Sequence, residues 1–60
     1  MRVFVHTAFY HSQYQLMNSI NESIKRLEDE GKTILNCTVQ YIECSPRSGD
    51  KYNYVITYKE

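Results

Sequence analysis

The chain has no tryptophan, a single proline, two glycines and two cysteines, and its seven basic side chains are matched by seven acidic ones. Each shortage excludes something. Balanced charge leaves no broad field to hold a polymeric nucleic acid or an anionic membrane surface. No apolar run approaches the ~20 residues that span a bilayer, and the opening "MRVFVHTAF" is too short and too polar for the apolar core of a secretory signal. Neither a membrane nor an exported location is therefore expected. Cys37 and Cys44 fall on one predicted strand, where about 3.3 Å per residue sets their α-carbons about 23 Å apart. A disulfide needs less than about 7 Å. Two free thiols fit a reducing cytoplasm. With so few breakers there is no linker, repeat or low-complexity stretch, and 60 residues make one domain, 1–60.

What is present divides at Gly31 and at "SPRSGD", Ser45 to Asp50. Residues 2–9, "RVFVHTAF", are rich in β-branched and aromatic types and read as a strand with apolar bulk on both faces. Ser12 followed by Gln15 is a capping box, which predicts a helix from Gln13 to Glu30 stopped by Gly31. Its apolar stripe is Met17, Ile20, Ile24 and Leu27, widened by Leu16, and Glu22 is placed to pair with Arg26 one turn on. Residues 33–44 alternate, with Leu35, Cys37, Val39 and Tyr41 on one face. Residues 51–59 alternate again, with Tyr52, Tyr54, Ile56 and Tyr58 on one face. Pro46 and Gly49 supply the hairpin between them.

The order β-α-β-β predicts an α+β domain: a three-stranded antiparallel sheet of order 1-3-2 with the helix on one face. One helix covers one face only. Tyrosines and aliphatics are expected on both sides of the strands, and an uncovered apolar face marks an interaction surface. A chain this small buries only about 60% of its unfolded surface. Both arguments predict a homo-oligomer.

Chemistry-bearing residues are few. His6 and His11 flank the strand-to-helix corner, but zinc takes about four ligands, and the cysteine spacing fits no zinc pattern. The plain reading is two structural histidines and no metal. Cys37 reads as a small core hydrophobe, Cys44 as an exposed strand end, and Glu28, Asp29 and Glu30 as a solvated helix terminus. No phosphate loop or HExxH stretch is present. No catalytic residue and no cofactor are expected. The tyrosines are the better candidates. Tyr52 and Tyr54 share a face and form either sheet packing or a stacking platform for a planar ligand. Tyr10, His11 and Tyr14 bracket the helix start, where backbone N–H groups favour anions, and Arg47 and Lys51 add cationic contacts. The candidate ligand-binding set is thus Tyr10, His11, Tyr14, Arg47, Lys51, Tyr52 and Tyr54.

The helix with its Ile20-Asn21, the strand carrying Tyr41 and the closing Tyr54-Val55-Ile56-Thr57-Tyr58 resemble a family of small sporulation-induced proteins of spore-forming bacteria and their phages. That resemblance covers most of the chain and implies no catalytic residues. The β-α-β-β order is also similar to that of dodecins, which assemble through their sheets around stacked aromatics. This chain departs from them in lacking the second-strand tryptophan that clamps their flavin, for which Tyr41 is only a loose substitute. Small oligomeric phage proteins that sequester nucleotide signals would suit an aromatic cleft with a few basic residues. Together these imply a non-enzymatic, cytoplasmic homo-oligomer that binds a nucleotide-like or other planar ligand between subunits. The alternative is a structural or protein-interaction module of sporulation or phage origin with no small ligand.

Overall fold

The structure, a computed structural model, describes residues 1–60. Four elements follow in order: β1 (Arg2–Tyr10), α1 (Gln13–Asp29), β2 (Thr33–Ser45) and β3 (Gly49–Lys59). The sheet order is β1-β3-β2, and both outer strands run antiparallel to β3. This is the expected α+β fold. The element bounds lie within two residues of those read from the sequence, the hairpin strands being longer because β2 and β3 keep pairing to Ser45 and Gly49.

Local chemistry sets the helix ends. Ser12 has extended backbone, and its Oγ accepts from the Gln15 N–H at 3.3 Å. Gln15 returns the bond one residue earlier than a standard capping box, its Oε1 accepting from the His11 N–H at 2.8 Å. At the other end Gly31 takes φ 86°. Its N–H donates to the Glu28 carbonyl at 2.9 Å, and the Lys32 N–H donates to that of Leu27 at 3.0 Å, the paired bonds of a Schellman stop. Gly49 has a different duty. At φ 90° it passes so close to Tyr10 that an added Cβ would meet that residue's carbonyl group.

Five side chains are buried: Tyr10, Leu16, Leu27, Tyr54 and Ile56. Phe4, Ala8, Ile20, Ile24, Ile34, Cys37, Tyr52 and Tyr58 pack around them. Two expectations about this packing need correction. The helix turns Leu16 inward, with Ile20, Ile24 and Leu27, and leaves Met17 60% exposed, so the inward stripe runs 16-20-24-27. On β2 the register shifts between Ile34 and Asn36, which makes Leu35 an extra, exposed residue and hands its core place to Ile34. A second shift frees Ile42 between Tyr41 and Glu43. Glu22 and Arg26 are not among the ion pairs, which join Arg2 and Lys32 to Glu60 and Lys51 to Glu43.

The molecule is thin, with α-carbon extents of 39 × 17 × 11 Å. Its accessible surface is 4451 Å², against about 4100 Å² from the scaling for a folded chain of this mass. The excess lies partly on the sheet face away from α1. There Val3, Val5 and Phe9 are 59%, 54% and 42% exposed. The tyrosines are not shared between faces as the sequence suggested. Tyr10, Tyr41, Tyr52, Tyr54 and Tyr58 all stand in rows on the helix side, because the pairing aligns their parity. The bare face is aliphatic along β1 and polar along β2, where Asn36, Thr38 and Gln40 lie.

Candidate functional site

Three rows of the sheet carry the chemistry, each row being residues aligned across β1, β3 and β2. The central row is His6, Tyr54 and Val39. Tyr54 is 1% exposed. Its hydroxyl reaches up into α1, where hydrogen bonds join it to Ser19 Oγ at 2.9 Å and Ser23 Oγ at 2.8 Å. Tyr10 Oη donates to the same Ser19 Oγ at 3.0 Å. These four hydroxyls form one connected chain, and no buried side-chain polar atom lacks a partner. Tyr54 and Tyr10 are therefore struts that position the helix, with little or no surface left for a ligand. Ser19 and Ser23 went unnoticed in the sequence. Their signal is the spacing of four residues beside the apolar stripe, which sets both on the face that looks down on the sheet.

The next row toward the hairpin is Ala8, Tyr52 and Tyr41, and beyond it Tyr10, Asp50 and Cys44. Tyr52 is half-buried between two rings, 6.4 Å from the centroid of Tyr10 and 5.3 Å from that of Tyr41, the latter edge-on at 70°. Tyr41 is exposed. Partial loss of water and the Asp50 charge push the Tyr41 phenol up from its ordinary value. The Asp50 carboxylate beside Cys44 favours the protonated thiol and pushes it up too, with burial adding to the effect. This corner brings together two phenols, a thiol and a carboxyl group. That is a surface for stacking and for accepting N–H donors. A raised thiol pKa lowers the thiolate fraction that a nucleophile needs, and neither cysteine shares a row with His6. Cys37, on the helix side of β2, is raised by burial.

No family model matches the chain, and no curated protein or solved structure does either. The resemblances to sporulation proteins and to dodecins are carried by the residues quoted above alone.

The remaining candidates scatter. His11 and Tyr14 are exposed at the helix start. Arg47 is exposed in the hairpin turn and makes no ion pair. Lys51 sits on the reverse of the sheet from Tyr52, because consecutive strand residues point to opposite faces. Its Nζ lies 5.5 Å over the Phe9 ring and 3.9 Å from Glu43 Oε1. Of the seven predicted residues the structure brings Tyr10, Tyr52 and Tyr54 together, and adds Tyr41, Asp50 and Cys44. Asp50 escaped notice because it reads as a turn residue, although it has the parity of Tyr52. No cluster of three His, Cys, Asp or Glu side chains is placed to hold a metal, the lone chain encloses no cavity, and no helix is long and apolar enough to cross a membrane.

Proposed function

We propose that the protein is a non-enzymatic, self-assembling binding module, whose copies cover one another's apolar sheet surface and bind a planar ligand at the Tyr41–Tyr52 corner. The carrying observation is the mismatch between five buried side chains and the exposed row of Val3, Val5 and Phe9. So small a core supplies only about 3–5 kcal/mol, and small domains make up the difference with a disulfide, a metal or a partner copy. Both thiols here are free.

The ligand reading follows from the corner's chemistry. Tyr41 presents an open ring edge and face, and Asp50 supplies an acceptor beside it. A nucleobase-like ring with N–H donors fits that pairing better than a phosphate, since Arg47 and Lys51 are not gathered there. Closure of the site requires a second copy, because one chain leaves Tyr41 open to water.

Native mass spectrometry of the purified protein tests both parts. The expected result is a defined oligomer that retains a small molecule or gains thermal stability with free nucleobases and nucleosides. Tyr41→Ala should abolish that gain and leave the circular dichroism spectrum unchanged. A protein that stays monomeric up to millimolar concentration overturns the reading. An oligomer without ligand or stabilisation favours a structural module instead.

A further inference from the structure

We infer that β1 is a self-pairing edge, along which two copies join antiparallel about a dyad at His6 to make one six-stranded sheet. This rests on the self-assembly proposed above and names one contact within it, the β1 edge, which leaves the bare face and the Tyr41 corner on β2 to further copies.

The sheet has two outer edges, and they are built differently. The β2 edge is broken by the extra residues Leu35 and Ile42, and the Cys37 N–H is taken by its neighbour's Asn36 Oδ1 at 2.8 Å. Bulges and locally satisfied donors keep an edge from pairing with a stranger. The β1 edge has neither device. Its nine residues pair with β3 without a shift, and its outer N–H and C=O groups find no backbone partner in the chain. It holds no proline or lysine, and its one formal charge, Arg2, lies at its end.

The occupant is a second copy because β1 is complementary to itself. A dyad at His6 pairs every residue of the strand and keeps both helices on the same side. On the helix side Phe4 then stands opposite Ala8 of the second copy, a large side chain against a small one. On the bare side Val3 meets Phe9 of the second copy, and Val5 meets Thr7, the β-branched and aromatic pairs that stabilise antiparallel ladders. Arg2 falls opposite Tyr10 of the second copy, in the row that continues to that copy's Asp50, so opposite charges share the row. Moving the dyad to Val5 or Thr7 shortens the ladder, and a shift of one residue puts apolar and polar faces out of register.

Sedimentation and a cysteine scan separate this inference from the broader reading. In a background with Cys37 and Cys44 changed to alanine, mild oxidation should convert His6→Cys to a covalent dimer, because the two copies of that residue face each other. Val5→Cys alone places the paired sulfurs on a diagonal of about 8 Å between α-carbons, outside the disulfide range, and should link at least about tenfold more slowly. Mixing Val5→Cys chains with Thr7→Cys chains should restore fast linkage, which keeps the test intact if His6→Cys folds poorly. A native oligomer that links equally at all three positions, or at none, overturns the dyad and leaves self-assembly standing. A sedimenting monomer at every concentration overturns both.

Discussion

The two faces of the sheet are made from the same strands and end in opposite conditions. On the helix side, Tyr54 and Ile56 on the central strand are 1% and 0% exposed, and every deep polar atom has a partner. On the other side the aliphatic residues Val3 and Val5 are more than half open to water. The bare face is not a uniform remainder. Its apolar part follows β1, while its β2 part is polar, and β3 supplies Val55 between lysines, Asn53 and Thr57. The contrast teaches that burial here is decided by strand as well as by face. On the bare face the aligned aliphatic residues follow the unbulged β1 edge, whereas the bulged β2 edge exposes Leu35 and Ile42 as its extra residues.

Substitutions on the two faces should therefore behave differently. The largest effect is expected from Ile56→Ala, which opens a cavity under the helix and should cost about 2–5 kcal/mol. A urea titration followed by circular dichroism should show little or no folded baseline for the dilute variant. Tyr54→Phe comes next. It keeps the ring and removes the hydroxyl that two serines share, a loss of about 1–2 kcal/mol by the same measurement. An unchanged midpoint would show that the serines are equally content with water. Val5→Thr keeps shape on the bare face and removes apolar area. Its dilute chain should unfold within about 0.5 kcal/mol of the parent, while the dissociation constant of the assembly rises about tenfold, or about 1.4 kcal/mol, by sedimentation. Loss of fold stability comparable to that of Ile56→Ala would erase the contrast between faces.

The smallest effect belongs to the shared end of the strands. Glu60 takes a hydrogen bond from Lys32 and faces Arg2, and these hold its carboxyl below its ordinary value of 4.5. A carboxyl lowered in the folded state contributes stability above its unfolded value, and loses that contribution as pH falls through the folded one. The urea midpoint should thus drop between about pH 5 and pH 3 slightly more steeply for the parent than for Glu60→Gln. Because the pair is exposed, salt should remove the difference.

Much of this was legible in the residues. The strand order follows from a helical crossover and a hairpin, and the helix ends follow from Ser12 and Gly31. The face assignment of Tyr52, Tyr54, Ile56 and Tyr58 follows from a period of two. What escaped is non-local. The bulges that expose Leu35 and free Ile42 depend on how β2 meets β3, and nothing in "TILNCTVQYIEC" marks where the register slips. The sheet's tyrosines were expected on both faces because alternation along each strand does not say which parity turns toward the helix. The site was legible only in part for the same reason. Tyr52 was found, whereas Lys51, its chain neighbour, belongs to the opposite surface, and Asp50 gained meaning only once pairing set it beside Cys44 and Tyr41.

The phenolic oxygen of Tyr54 touches two successive turns of α1 at once. It acts as a vernier. Rotating the helix by one residue carries both serines off that oxygen, and sliding it by one turn leaves it only one of them. Aliphatic contacts tolerate such displacement, since grease has no preferred phase. A sheet and rod with so little oil between them would otherwise be free to wander among several near-equal packings. The hydroxyl relay selects one, and sharp, well-dispersed amide resonances are the signature it should leave.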